Sequence, residues 1–157
     1  MIETVMEAIR SKLEKVLAAD EIAVYVLFPE DRSDLREGVY LEIQGIDREE
    51  EIPSHELDVR LLLEAHIIKG VYGKEDRLKA KTLGLKVIQA LDRDDFGLKG
   101  AYLSRFEKQY DGYFEEETRQ IEIQTIEFTL PMRVGEAFEG FLETGESPEV
   151  PGVEREL

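Results

Sequence analysis

The 157-residue sequence contains no cysteine and no tryptophan, and it is poor in basic side chains. The lack of cysteine excludes disulfide frameworks, thiolate zinc sites and cysteine nucleophiles. Only 20 Lys and Arg residues stand against 36 Asp and Glu residues, which gives a formal charge of −16 at pH 7. Because such a surface repels phosphate, we expect no specific binding of nucleic acid.

Long apolar runs are also missing. The longest, Ile22–Phe28, is far too short for a membrane helix. Glu3 and Glu7 lie where a signal peptide needs cations and an apolar stretch. We therefore expect a soluble, intracellular product with no membrane partner. Hydrophobic residues make up 42% of the chain, enough for a real core, and the length favours one domain.

Two segments have the apolar spacing of amphipathic helices. In residues 2–18, hydrophobic side chains recur at steps of three and four. Residues 74–91 repeat this spacing less regularly, and we expect Leu78, Leu85, Ile88 and Leu91 to form the buried face. Gly84 lies inside this second helix and costs roughly 1 kcal/mol relative to alanine. Tertiary packing must therefore outweigh that cost.

Five segments have the composition and alternation of β-strands. In the last of them the apolar phase changes between Ile123 and Ile126, which a β-bulge or a twist near Thr125 would explain. The order αβββαββ predicts an α+β fold with a mixed or antiparallel sheet and both helices on one face. We expect one domain over residues 1–133 and an acidic extension over 134–157. The predicted strands span residues 22–28, 39–43, 56–69, 101–108 and 120–130, with polar connections at 45–54 and 110–118.

The extension has a composition that opposes independent folding. Residues 136–157 hold seven glutamates and one arginine, together with several glycines and prolines. Phe138, Phe141 and Leu142 nevertheless lie at helix-compatible spacing. Two hypotheses remain open: a flexible acidic extension, or an arm whose apolar anchors dock on a neighbouring subunit or on another assembly partner such as a tube of subunits.

Several short motifs suggest catalysis, but their context does not support it. Asp95-Phe96-Gly97 lacks the other kinase motifs, and Gly70–Lys74 lacks the spacing and hydroxyl residue of a phosphate-binding loop. Glu64 and His66 share a strand face, but no third metal ligand is evident nearby. We therefore predict no catalytic residue, no cofactor and no metal ligand.

One enzymatic alternative remains. Leu41-Glu42-Ile43-Gln44 resembles the strand half of a metal-dependent nuclease site, with Asp34 as a candidate upstream ligand. The activating lysine is missing, and residues 121–124 repeat the same alternation. The nuclease is therefore the weaker hypothesis.

Charge and unpaired apolar residues favour a role in assembly. Lys74, Arg77, Lys79, Lys81 and Lys86 make the second helix the one basic segment of an acidic chain, which either is solvated or docks on an acidic neighbour. Leu62 and Ile68 lie on the polar side of the long strand and need cover. We predict that the subunit interface uses Leu62, Ile68, Arg77, Lys81 and Lys86.

The order of these elements resembles that of tail terminator proteins of long-tailed bacteriophages, of which the phage lambda terminator is the best-known type. The likeness rests on residues 1–17, on Ile22–Phe28 with Val39–Gly45, and on Tyr110–Leu130, whose acidic, aromatic stretch Tyr110-Asp111-Gly112-Tyr113-Phe114-Glu115 is typical of the family. It is architectural, because these proteins have no short signature. The extension beyond Val134 is longer than in the lambda type.

The resemblance implies a non-enzymatic virion protein at the head-proximal end of the tail, assembled in the host cytoplasm. Such proteins form a hexameric ring that caps the tail tube, ends its polymerisation and offers a surface to the head connector or neck protein; the sheath protein is a further candidate partner. DNA would pass through the lumen, so we expect acidic residues there. The alternatives are a head–tail completion protein of the same fold and a non-viral binding module. The predicted lumen residues are Asp47, Glu49, Glu50, Glu51, Asp111, Glu115 and Glu116.

Overall fold

The computed structural model describes residues 2–26, 30, 35–51, 57–70, 73–115 and 120–134, without the side chains of 48–51, 57, 74, 113–115 and 134. Helix α1 spans Ile2–Val16 and helix α2 spans Lys74–Leu91. The strands are β1, Val24–Tyr25; β2, Gly38–Glu51; β3, Leu57–Gly70; β4, Arg105–Glu115; and β5, Gln120–Val134. The predicted order αβββαββ is confirmed.

The five strands form one mixed sheet in the order β1-β2-β3-β5-β4. Only β1 and β2 are parallel, and the other three neighbouring pairs are antiparallel. Both helices pack against the same face, which we call the helix face, and the opposite one is the open face. The predicted α+β class, with two helices on one side, is therefore correct. Among the described residues, no helix is long and apolar enough to cross a membrane.

The core lies between the helices and the sheet. Val5, Ile9 and Leu13 recur along one side of α1 and are fully buried. Alternate residues of β3 and β5 meet them from the sheet, as the period of two in a strand requires. The sheet side of this core is formed by Leu61, Leu63, Ala65, Ile67, Ile126, Phe128, Leu130 and Met132.

Three strands run further than the sequence predicts. Strand β2 continues to Glu51, so the charged segment after Gly45 is a strand paired with β3 and not a loop. Strand β4 continues to Glu115, through a segment predicted to be a turn. Strand β5 passes through Pro131 to Val134. Charge and proline lower strand propensity, but hydrogen-bonded pairing with a neighbouring strand overrides that preference.

The predicted bulge near Thr125 is wrong. The register between β3 and β5 is unbroken from Leu57 opposite Val134 to Gly70 opposite Ile121, and the irregularity lies instead in β4, between Phe106 and Lys108. The apolar phase changes because β5 serves two hydrophobic clusters on opposite faces. Ile121 joins Leu35, Tyr40 and Ile68 on the open face, while the later residues join the core.

The buried side of α2 differs in part from the prediction: Leu91 is fully buried and Ile88 packs against the core as predicted, but the other two leucines do not. Leu78 and Leu85 are 69% and 68% exposed, and Ala80, Gly84 and Val87 face the sheet instead. A Cβ built on Gly84 would lie 2.6 Å from Oε1 of Gln124 on β5. Because Gly84 has no side chain, α2 approaches the sheet closely there, and Leu78 and Leu85 point toward solvent.

Candidate interaction surface on the open face

The open face carries a polar cluster that we define as Glu42, Gln44, Glu64, His66, Tyr110 and Thr125. Glu42 lies directly across the ladder from Glu64, and His66 lies two residues further along β3. His66 Nε2 is 2.9 Å from Glu42 Oε1 and 3.3 Å from Glu64 Oε1. One imidazole nitrogen and two carboxylate oxygens, from two neighbouring strands, therefore lie close together above the sheet.

Neighbouring side chains fix these three residues. His66 Nδ1 is 3.0 Å from the Thr125 hydroxyl, and Gln44 Nε2 donates to one oxygen of Glu42 and one of Glu64, each at 3.0 Å. The Tyr110 hydroxyl donates to Glu64 Oε2 at 3.2 Å. Burial first, and then the charges of Glu64 and Glu127, raise the pKa of Tyr110 to about 12. The phenol therefore stays protonated and a donor at neutral pH.

A groove of about 590 Å³ lies beside the polar cluster. Leu62 contributes apolar surface, while Arg60 and Lys108 add positive charge to a wall that also carries acidic groups. An open groove with mixed apolar and charged walls suits contact with another protein surface. The groove is lined by Gln44, Arg60, Leu62, Leu63, Glu64, Glu107, Lys108, Glu127, Phe128 and Thr129.

The residues predicted to form a subunit interface have different surroundings. Leu62 is half-buried and lines the groove. Ile68 is only 2% exposed, because Leu35, Tyr40 and Ile121 cover it within the chain. The argument that Ile68 needs cover from another subunit is therefore wrong.

The three predicted interface cations on α2 already have acidic neighbours within the chain. Lys81 Nζ lies 2.8 Å from Asp111 Oδ2, and its hydrogen bond lowers the pKa of Asp111 and raises that of Lys81. Lys86 Nζ is 2.6 Å from Asp20 Oδ2, and Arg77 Nε is 3.8 Å from Glu122 Oε1. These cations thus do not require a partner subunit for charge compensation, although a subunit contact there stays a prediction.

Of the predicted lumen carboxylates, only Asp47 and Asp111 have side chains among the described residues, and these two lie on different parts of the sheet. Asp47 lies on the open face of β2 and pairs with Arg60 at 3.4 Å. Asp111 lies on β4 at the far edge of the sheet, where it faces α2. The side chains of Glu49, Glu50, Glu51 and Glu115 lie outside the described residues, as does all of Glu116. The tail anchors Phe138, Phe141 and Leu142 and the nuclease candidate Asp34 also lie outside them.

Sequence reasoning missed the cluster as a unit. It noted Glu64 with His66, and separately Glu42, but did not place Glu42 as the third member. Knowledge of the β2–β3 register would have placed Glu42 beside Glu64 and His66. That register contains two irregularities, between Ile43 and Gly45 and between Arg48 and Glu50, so counting residues back from the turn does not give it.

Comparison with known proteins gives a likeness of fold. No protein-family model matches the sequence, and no curated protein does. Among solved structures, the chain is similar to a chain of the "Virion of native gene transfer agent (GTA) particle", with a TM-score of 0.60 and 17% identity. The match covers 83% of this chain and 95% of the other. At this identity the likeness establishes that the two chains share a fold.

Proposed function

We propose that the chain is a structural protein of a phage-like virion, and that it forms the ring that caps the tail tube. The observation that carries this proposal is the fold likeness to a virion chain, which spans nearly the whole of that chain. The order of elements, which resembles that of tail terminators, supports the same role. A head–tail completion protein of this fold is the second candidate, because it shares the virion setting.

A cyclic ring needs two different surfaces, one on each side of the subunit. The open face offers Leu62 and the groove, among the carboxylates of Glu64 and Glu127. The outer side of α2 offers the exposed leucines Leu78 and Leu85 within the basic segment. These two surfaces lie on opposite sides of the sheet. The groove carries three carboxylates and two cations, and the outer side of α2 carries the basic segment, so we propose that they meet between neighbouring subunits.

Apolar contacts should contribute most of the binding free energy of this interface. Ion pairs at an exposed rim contribute only ~0–1 kcal/mol each, and those on α2 are already formed within the chain. Burying a leucine that is exposed in the monomer contributes about 1.5–3 kcal/mol. Leu78 and Leu85 are therefore the main anchors of the proposed contact, and Leu62, which is half-buried in the monomer, adds a smaller contribution.

Native mass measurement tests the proposal. Six chains of 18.1 kDa would give a particle of about 109 kDa. We expect this species at high protein concentration or on addition of tail tubes. Leu62→Asp, or Leu78→Asp with Leu85→Asp, should abolish it and leave the circular dichroism of the monomer unchanged.

Leu103→Asp is the matched control, since Leu103 is 56% exposed and lies on neither surface. It should assemble as the wild type does. If the chain remains a monomer or dimer even with tubes present, the ring is wrong. If Leu62→Asp assembles normally, Leu62 is not in the interface.

A further inference from the structure

We propose that Glu42, Glu64 and His66 form a binding site for one divalent transition-metal ion of the zinc class. One imidazole nitrogen and two carboxylate oxygens, one from each residue, all lie within 4.8 Å of one another. Ligands of a tetrahedral ion, each at ~2.0–2.2 Å from it, lie roughly 3.4 Å apart. His66 Nε2 lies 3.3 Å from Glu64 Oε1, which is close to that spacing, and 2.9 Å from Glu42 Oε1, a hydrogen-bond distance that would lengthen slightly on metal binding.

The pairing of the two glutamates supports the presence of a cation. Glu42 and Glu64 are directly opposite on neighbouring strands, an arrangement that destabilises a sheet when both carry charge. Glu64 and His66 are well covered, with side chains 14% and 11% exposed, so solvent screens the repulsion poorly. Gln44 Nε2 donates to both carboxylates and relieves part of this repulsion, and a dication between them would turn the remainder into attraction.

The surrounding residues orient the donor atoms as outer ligands do at metal sites. Thr125 holds Nδ1 of His66, which leaves Nε2 directed at the carboxylates. Tyr110 donates to Oε2 of Glu64, while Oε1 faces His66 and also accepts a hydrogen bond from Gln44 Nε2, whose place a bound ion would take. Glu42 is 39% exposed, so the fourth position faces solvent or a partner's ligand.

The donor set also indicates which ion would bind. Mg²⁺ prefers six oxygen ligands and binds imidazole poorly, whereas Zn²⁺ accepts nitrogen and carboxylate ligands in a four-coordinate site. We therefore expect Zn²⁺ to bind tightly and Mg²⁺ at equal concentration not to displace it. This inference concerns the single chain and does not depend on ring formation.

Calorimetric titration of the full chain with ZnCl₂ tests the site. We expect one saturable equivalent per chain. His66→Gln and Glu64→Gln should each weaken it by at least ~100-fold, because even changes to outer residues cost ~10–100-fold at metal sites. The matched controls are His55→Gln, at the only other histidine, and Glu14→Gln on α1. Both should bind as the wild type does.

Two further measurements keep the proposal testable if a ligand variant misfolds. Thr125→Val preserves side-chain shape but removes the contact with Nδ1, and should weaken Zn²⁺ binding by roughly 10-fold. Zn²⁺ should also shift the NMR signals of the His66 ring and leave those of His55 in place. Lack of saturable binding, equal affinity in His66→Gln and wild type, or an unshifted His66 ring would each overturn the site.

Discussion

The helix α2 lies close to the sheet at Gly84. We therefore predict that the effect of Gly84→Ala on the free energy of unfolding changes sign when its neighbour on β5, Gln124, is replaced by alanine. The new Cβ would lie 2.6 Å from Gln124 Oε1, a distance that requires the amide to move. Gln124 is 3% exposed, and its Oε1 also accepts a hydrogen bond from Gln109 Nε2 at 3.4 Å. The amide therefore has little room to move.

Two opposing contributions set the magnitude. Alanine is favoured over glycine inside a helix by ~0.8–1.0 kcal/mol. Overpacking of a buried site costs typically ~1–3 kcal/mol. We expect Gly84→Ala to lower the free energy of unfolding by ~0–2 kcal/mol in the wild type. In a Gln124→Ala background the clash is absent, since the next atom is Ile67 Cδ1 at 3.8 Å. There the same change should raise the free energy of unfolding by ~1 kcal/mol.

Urea unfolding of the four proteins measures this cycle. A coupling of at least ~1 kcal/mol between the two positions is expected, which is within the range for residues in contact. If Gly84→Ala stabilises the wild type as much as it stabilises Gln124→Ala, then helix propensity alone explains its effect on the free energy of unfolding. The close packing would then not be the reason for glycine at this position.

Three further results are expected. Phe128→Ala should cost about 3–5 kcal/mol in urea unfolding, since Phe128 is only 1% exposed and its loss leaves a cavity; an unchanged midpoint would contradict the core assignment. Burial raises the pKa of Asp94, but the Lys12 ammonium at 2.5 Å and a backbone N–H outweigh burial, so the pKa is lowered overall. Asp94→Asn should therefore have a lower free energy of unfolding than the wild type at pH 6. The two values should converge as the pH falls below ~3.8, where the wild-type carboxylate becomes protonated. A difference that persists in acid would show another cause. Deleting residues 135–157 should leave the thermal unfolding of the core unchanged but weaken assembly, which native mass measurement would detect. If assembly is unchanged, the segment is a flexible acidic extension and not a docking arm.

The two faces of the long strands could be predicted from the sequence, because alternation has a fixed period. Leu61, Leu63, Ala65 and Ile67 lie on one face in any strand that contains them, and they do form the core. The same holds for Val5, Ile9 and Leu13 on α1. The order of the elements, and hence the α+β class, followed from these periods.

Strand ends and the candidate metal site depended on pairing between distant segments. The sequence could not show that residues 47–51 extend β2, since their charge opposes strand propensity and only the β3 partner overrides it. Glu42 joins Glu64 and His66 through a register with two irregularities, and Tyr110 reaches Glu64 from an edge strand across β5.

Local periodicity by itself thus determined the class of fold, the two helices and the buried faces of α1 and β3. Only the tertiary structure decided that α2 turns Gly84 toward the sheet and leaves Leu78 and Leu85 exposed, because a residue without a side chain allows close contact with Gln124 on β5. It alone also decided which polar side chains meet on the open face. The physical reason is that the spacing of apolar residues depends on which side of a single segment is buried, whereas strand register and packing distance depend on two segments together.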